Sequence, residues 1–175
     1  MPHRPSAARI LFDEAHREAW TIRPEIARAM QPSHPEDSSY ARAAEALRKR
    51  DLAVEAHAAG PLDAAALADA DVLVLAHPAD PRFERTVGSG SPTLSAEELD
   101  AVEAFVARGG GLVVLGEEEQ DKYGNNLNEL VARFGLRIEH DAVSDYARHR
   151  AAPHWVLADL ERPADGVDLL ARVHE

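Results

Sequence analysis

Asp71-Val-Leu-Val-Leu-Ala76 is the stretch that decides the fold. It is a nearly continuous apolar run, which is the pattern of a strand covered on both faces. Gly111-Leu-Val-Val-Leu115 has the same character further along the chain. Because strands buried on both faces belong to parallel sheets with helices packed against them, these two segments predict an α/β fold.

The other predicted strands alternate with predicted helices along the chain. Further strands are expected at 9–13, 52–56 and 136–139, with a weaker candidate at 155–158. Helices are expected near 40–47, 63–68, 95–108, 126–134 and 165–175. This alternation implies right-handed crossovers between parallel strands. We therefore expect a three-layer, doubly wound, flavodoxin-like fold with a mostly parallel sheet of five to six strands.

The helix that begins near residue 95 has the clearest end signals. Ser95 and Glu98 have the spacing of a capping box, and Leu94 and Leu99 have the spacing of a hydrophobic staple. Glycines at 109–111 end the helix, because glycine readily adopts the backbone conformation found just beyond a helix C-terminus. Both ends of this helix are therefore defined by local sequence.

Composition limits the classes of protein to which the chain can belong. Its 175 residues are enough for one domain, expected at 9–175 after an N-terminal arm at 1–8, and this domain can be a module of a longer protein. The absence of cysteine excludes disulfides, thiolate metal sites and a cysteine nucleophile. No apolar run approaches the roughly 20 residues of a membrane span, and a cytoplasmic location is expected.

The net charge of −12 bears on the partners of the chain. An acidic domain repels phosphate backbones, so neither nucleic acid nor a membrane is expected as a partner. A small molecule or a protein is expected instead, and a homo-oligomer is compatible with the composition. No motif identifies a cofactor, and none settles whether a metal binds.

Long connections leave the strands at one edge of the predicted sheet. Residues 14–37 follow the first strand, 77–93 follow the third, and 116–125 follow the fourth. Connections of about 2–6 residues are usual in a compact α/β domain. Since ligands of open α/β sheets bind outside the carboxyl ends of the strands, this edge is the predicted functional site.

The first strand runs directly into a group of ionisable residues. Asp13, Glu14 and His16 could bind a metal or carry out acid–base chemistry. Alternatively, Asp13 caps the turn and His16 hydrogen-bonds a neighbouring loop. The structural alternative is favoured for Glu14, whereas both roles stay open for Asp13 and His16.

The other two connections contribute the remaining candidates. His77 and Asp80 follow the third strand between prolines that stiffen the exit. Arg82, Arg85 and the segment 88–91 could cradle an anion, although a flexible loop explains the glycines better. After the fourth strand, four acids within 117–121 need solvent, a cation or a basic partner. The predicted ligand-binding residues are Asp13, His16, His77, Asp80, Glu117, Glu118 and Asn125.

Five segments between residues 9 and 140 carry a resemblance to a known family. They are Ile10-Leu-Phe-Asp-Glu-Ala-His16, Asp71-Val-Leu-Val-Leu75, Leu94-Ser-Ala-Glu-Glu98, 102–115 and 125–135. With its elements in this order, the chain resembles the class I glutamine amidotransferase-like superfamily. The resemblance is closest to the non-catalytic branch, which includes the ThuA-like proteins and the GIFT domains of gliding-motility and intraflagellar-transport proteins.

The resemblance implies the fold but not the chemistry of the catalytic members. Those members place a cysteine or serine in a strained elbow right after the fourth strand, and a later histidine serves it. Gly116-Glu117-Glu118 stands at that place in this chain, which has no cysteine. Glutaminase and cysteine-peptidase activities are therefore not carried over, and the chain has the character of a pseudoenzyme.

Two hypotheses about function follow from these residues. The first is a non-catalytic ligand-binding or scaffolding domain, which the missing nucleophile and the resemblance favour. The second is a hydrolase that uses Asp13, His16, His77 and Glu117, in one version around a divalent metal. We expect the first.

Overall fold

The computed structural model of the chain describes residues 7–157. Its strands are β1 (Arg9–Asp13), β2 (Ala53–His57), β3 (Val72–Ala76) and β4 (Gly111–Leu115). Its α-helices are α1 (Pro24–Met30), α2 (Ala41–Arg48), α3 (Ala96–Ala107) and α4 (Leu127–Ala132). Short 3₁₀ helices cover Pro35–Ser38 and Gln120–Tyr123.

The four strands form one parallel sheet in the order β2-β1-β3-β4. Arg9 lies opposite Ala53, and Val72 lies opposite Gly111. The predicted α/β class and parallel sheet are therefore confirmed, with each of these strands placed within one residue of its expected bounds. The order puts β1 and β3 at the centre, so the connections that leave them meet at the middle of the carboxyl edge.

The core consists of two apolar clusters that use alternate residues of the central strands. One cluster contains Leu73 and Leu75 of β3 together with side chains of α3 and α4. The other contains Val74 and Ala76 of β3 together with Ala44 of α2. Since successive side chains of a strand point to opposite faces, the two clusters lie on opposite faces of the sheet.

Helix α3 has both predicted end signals. The Glu98 N–H donates to Ser95 Oγ, and the Ser95 N–H donates to Glu98 Oε2 at 2.8 Å, which completes the capping box. Leu94 and Leu99 are both buried, as the hydrophobic staple requires. The predictions for this helix are confirmed.

The predicted strand at 136–139 is wrong, because these residues form no ladder with β4. The Asn128 side chain holds both backbone groups of Ile138 instead. Its Oδ1 accepts from the Ile138 N–H at 2.8 Å, and its Nδ2 donates to the Ile138 carbonyl at 2.9 Å. A side chain of α4 thus satisfies groups that a fifth strand would have presented to the sheet.

The predicted helix at 63–68 is also wrong, since the structure has turns there. Asp63 Oδ1 accepts from the N–H groups of Ala65 and Ala66, and this local bonding competes with a regular helix. Helix α1, in contrast, lies inside the first long connection and was not predicted. Of the weaker strand at 155–158, the structure describes an isolated bridge between Val156 and His149, whereas residue 158 lies outside the described residues.

The chain divides into two compact units, Met1–His140 and Asp141–Glu175. The described part of the first contains the whole sheet and both apolar clusters. The described part of the second, 141–157, is a loop in which the Asp145 N–H donates to the Pro153 carbonyl. The terminal helix predicted at 165–175 and most of the predicted arm at 1–8 lie outside the described residues, and the single domain at 9–175 stays a prediction. Among helices within 7–157, none has the length and apolarity needed to cross a bilayer.

Candidate functional site at the carboxyl edge

The carboxyl edge of the sheet holds a concentration of buried ionisable side chains. Four of them lie within six residues: Asp13 is the last residue of β1, and Glu14, His16 and Glu18 follow it. All four are buried. Burial of so many ionisable groups is costly unless each is paired, hydrogen-bonded or neutral. The four residues meet this requirement in different ways.

His16 lies between two carboxylates. Its Nδ1 is 2.8 Å from Asp13 Oδ2, and its Nε2 is 2.9 Å from Oε1 of Glu98, the capping residue of α3. Burial lowers the pKa of His16, but the hydrogen bonds and charges of Asp13 and Glu98 outweigh it and raise the pKa above its ordinary value. The imidazole of His16 therefore ties the end of β1 to the start of α3.

Glu98 is the residue that joins this group to the rest of the edge. Its Oε1 also accepts from the Leu62 N–H at 2.9 Å, and its Oε2 accepts from the Ser95 N–H. Burial raises the pKa of Glu98, but these N–H groups and the charge on His16 lower it by more. The pKa of Glu98 therefore lies below its ordinary value. One carboxylate thus holds α3, the loop before β3 and the turn after β1.

Glu14 holds the first long connection in place. Its Oε1 accepts from the Thr21 hydroxyl at 2.7 Å and from the Ile22 N–H at 2.8 Å. Its Oε2 accepts from Arg23 Nε at 2.6 Å. Since these bonds occupy both oxygens of a fully buried carboxylate, Glu14 has a structural role.

Glu18 and His77 differ from the residues above, because their side-chain polar atoms make no hydrogen bond of good geometry within residues 7–157. Both oxygens of Glu18 and both ring nitrogens of His77 are buried without a hydrogen bond of good geometry. Burial and the nearby charges of Asp13 and Glu14 raise the pKa of Glu18 well above its ordinary value. Burial and the charge of Lys122 lower the pKa of His77 to about 4. His77 is therefore a neutral imidazole at pH 7, whereas the surroundings of Glu18 favour its protonated form.

His77 also has an unusual backbone. Its φ of +66° lies in the left-handed region, which costs energy for a residue with a side chain. Its ring packs edge-on against Tyr123, with 4.3 Å between ring centroids. Gly116 and Glu117, which follow β4, have no positive φ. Arg17 and Glu119 also adopt a positive φ, so each of the connections after β1, β3 and β4 contains one such residue with a side chain.

The side chains of Asp80 and Asn125 form hydrogen bonds with nearby residues of the protein. Asp80 forms a bidentate pair with Arg82, whose guanidinium, through its hydrogen bonds, lowers the pKa of the carboxyl. Asn125 Nδ2 donates to the Pro78 carbonyl at 2.7 Å, and its Oδ1 accepts from the Leu127 N–H. These two residues connect the loops after β3 and β4.

Glu117 and Glu118 are more exposed to solvent than the acids that follow β1. Glu118 is exposed, and Glu117 is half-buried with its N–H bonded to the side chain of Gln120. Burial first, and the charge of Glu117 next, raise the pKa of Tyr40 to about 12, so Glu117 faces Tyr40 across the edge. Within 7–157 no three His, Asp or Glu side chains come together as a metal site.

The predicted residues thus fall into two groups rather than one. Asp13 and His16 join Glu98, whereas His77 packs on Tyr123 and the charge of Glu117 acts on Tyr40. Glu18 lies between the groups, because it interacts with both Asp13 and Tyr40. Sequence reasoning missed Glu18 and the second role of Glu98. The capping box identified Glu98 as a local residue, but no local signal indicated that it would meet His16 from 82 positions away.

A pocket of about 460 Å³ opens beside the His16–Glu98 pair. We call it the hydroxyl pocket; it is lined by His16, Ala59, Gly60, Ser89, Ser91 and Thr93, among others. Gly90 builds its wall by close approach, because a Cβ there would lie 2.4 Å from the Ala15 carbonyl oxygen. Arg17 Nε donates to the Gly90 carbonyl at 2.6 Å and holds that loop down. The glycine segment 88–91 is therefore packed against the end of β1.

Comparison with known proteins supports the fold. No family model matches the chain, and no curated protein matches it. Among solved structures, the chain is similar to one titled "mmIFT52 N-terminal domain", with a TM-score of 0.56 and 18% identity. The match covers 83% of this chain and 53% of that one, so the chain spans about half the length of that structure. At this identity the likeness shows a shared α/β fold alone.

Proposed function

We propose that this chain is a non-catalytic ligand-binding or scaffolding domain with a three-layer, glutamine amidotransferase-like fold. Its partner is a small molecule or a protein, and its location is the cytoplasm. The observation that carries the proposal is the state of the ionisable residues after β1. Asp13, Glu14 and His16 are committed to internal hydrogen bonds that hold loops together.

This bonding has a consequence for recognition. Loops that are locked before a ligand arrives lose little conformational entropy when it binds. The hydroxyl pocket has such walls, with Gly90 pressed on Ala15 and Glu98 bonded to Leu62. A preformed pocket at the carboxyl edge is where ligands of open α/β sheets bind.

The resemblance to GIFT domains and the fold shared with the IFT52 N-terminal domain also support the proposal. That resemblance is to a branch without the catalytic cysteine. Both considerations are analogies of fold. The hydrogen bonds of Asp13, Glu14 and His16 support the proposal independently of these analogies.

The test combines a binding screen with a search for turnover. The purified chain is screened by thermal shift against neutral polyols, dicarboxylates and nucleosides. We expect a stabilising ligand that the Ala59→Phe variant no longer binds, because the ring fills the hydroxyl pocket without removing a side-chain hydrogen bond. Ala43→Phe on the exposed side of α2 is the matched control and should bind normally.

The same ligand is then incubated with the protein and followed by NMR. An unchanged ligand is expected. Chemical conversion of the ligand that disappears in Asp13→Asn or Glu117→Gln would contradict the proposal.

A hydrolase remains the second candidate, and one observation favours it. His77, with its positive φ, and Glu18 are buried, and their side-chain atoms make no hydrogen bond of good geometry within 7–157, as is found for poised groups of active sites. In this alternative His77 is the base and Glu18 the acid. Hydrolysis of an ester or amide probe that is lost in both His77→Ala and Glu18→Gln, with folding retained, would establish it.

A further inference from the structure

Three arginines line one shallow depression of about 650 Å³, formed by the connections that follow β1 and β3. We call it the arginine depression and define it by Arg17, Arg82, Arg85, Met30, Phe83 and Glu84. The chain as a whole carries a net charge of −12. A group of cations on such a surface runs against the overall charge and indicates an anionic ligand.

Each guanidinium is anchored by only part of its donors. Arg17 uses Nε on the Gly90 carbonyl, and Arg82 uses Nε and Nη2 on Asp80. Arg85 uses Nη1 on the Met30 carbonyl at 2.6 Å and on Gln31. Within the described part of the chain, the remaining N–H donors of these three groups have no protein partner. The side chains are thus positioned in advance, and their free donors are available to a ligand.

The neighbouring carboxylates cancel only part of this charge, because three arginines stand against Asp80 and Glu84. Asp80 pairs with Arg82, and its charge also acts on Arg17. Arg17 and Arg85 have no carboxylate partner within 7–157. Guanidinium groups pair with carboxylates through two parallel hydrogen bonds, which gives both affinity and geometry.

The shape and the apolar part of the depression favour a peptide over a small molecule. The Phe83 side chain is 53% exposed, and the Arg82 guanidinium lies 5.6 Å from its ring centroid. Met30 and Pro32 add apolar surface at the other side. An open surface that combines arginines with an exposed aromatic ring has the composition of a protein-binding site.

We propose that the arginine depression docks an acidic peptide segment of a protein partner. Two or more carboxylates of the segment pair with Arg17, Arg82 and Arg85, and an apolar side chain of the segment packs on Phe83. This inference rests on the proposed function as a binding domain and names one of its partners by chemistry.

The experiment measures fluorescence anisotropy of a decapeptide of alternating glutamate and leucine, labelled with an uncharged dye. The full chain should bind this peptide and not the version with glutamine in place of glutamate. R17Q/R82Q/R85Q should bind at least about tenfold more weakly, because it removes the three guanidinium groups that pair with the carboxylates of the peptide. R42Q/K49Q/R50Q changes three exposed cations of α2 and its C-terminal end, and it should bind like the parent chain.

Arg82→Gln alone is the second variant, because the Arg82 side chain is 77% exposed and its loss should leave the fold intact. It should weaken binding in the same direction with an unchanged melting temperature. Equal weakening in R42Q/K49Q/R50Q would show non-specific charge attraction and overturn the inference. Binding of pyrophosphate without binding of the peptide would also overturn the inference. So would an anisotropy change that sedimentation traces to self-association of the peptide.

The failure of this inference can be told from failure of the proposed function. If the peptide does not bind but Ala59→Phe abolishes binding of a small ligand, the inference fails and the binding domain stands. Turnover that depends on Asp13 or Glu117 defeats the proposed function whatever the peptide does.

Discussion

At the scale of single residues, His16 bridges two buried carboxylates of the carboxyl edge. His16→Ala leaves Asp13 and Glu98 buried without this partner, which should cost about 3–5 kcal/mol. Urea unfolding of the parent and the variant at constant pH measures this cost. A cost near zero would mean that the two carboxylates are satisfied without the imidazole.

The pKa of His16 makes a second prediction about pH. Because the folded pKa is raised, the His16 contribution is fully present below the unfolded value of 6.5 and is lost as pH rises through the folded pKa. The unfolding free energy of the parent chain should therefore fall over that window, and the fall should be smaller in His16→Ala. Parallel curves for the two proteins would refute the assignment.

Glu18 should contribute to the same fall in stability, beginning at lower pH. Its folded pKa is raised by burial and by Asp13 and Glu14, so folding holds a proton that the unfolded chain releases above pH 4.5. The parent chain should lose stability as pH rises from there towards the folded pKa. In Glu18→Gln this loss should disappear, which denaturant titrations from pH 4 to 8 can detect. Glu55→Gln, on the exposed side of β2, is the control and should keep the slope of the parent.

At the scale of elements, Asn128 decides what the segment after α4 becomes. Asn128→Ala removes both bonds to Ile138 and should cost about 1–3 kcal/mol, since two backbone groups lose their partners. Asn128→Asp keeps the acceptor and loses the donor, so it should cost less. Hydrogen exchange of the Ile138 amide reports the effect directly, and unchanged protection in Asn128→Ala would contradict it.

Local sequence patterns predicted some of the secondary-structure elements and not others. Strands β1 to β4 and helix α3 were predicted because apolar runs and a capping box are signals within a few residues. The segment 136–139 has a similar apolar pattern, but it is held by a side chain of another element. Helix α1 was missed because its Pro24–Met30 sequence lies in a polar connection without a clear apolar face.

At the scale of the whole molecule, the first compact unit contains everything needed for a stable core. The four strands and both apolar clusters lie within residues 7–140. A chain that ends at His140 should therefore unfold cooperatively and keep the far-UV circular dichroism of a parallel α/β fold. A broad, non-cooperative transition would show that the core needs residues beyond 140.

The sequence by itself determined the class of fold, the parallel sheet and the edge at which ligands are expected. These follow from apolar periodicity and from loop lengths, which are properties of neighbouring residues. Only the tertiary structure decided which ionisable groups meet, such as His16 with Glu98 and Glu18 with neither. The physical reason is that charge pairing and burial depend on distances between residues far apart in the chain, about which local spacing carries no information.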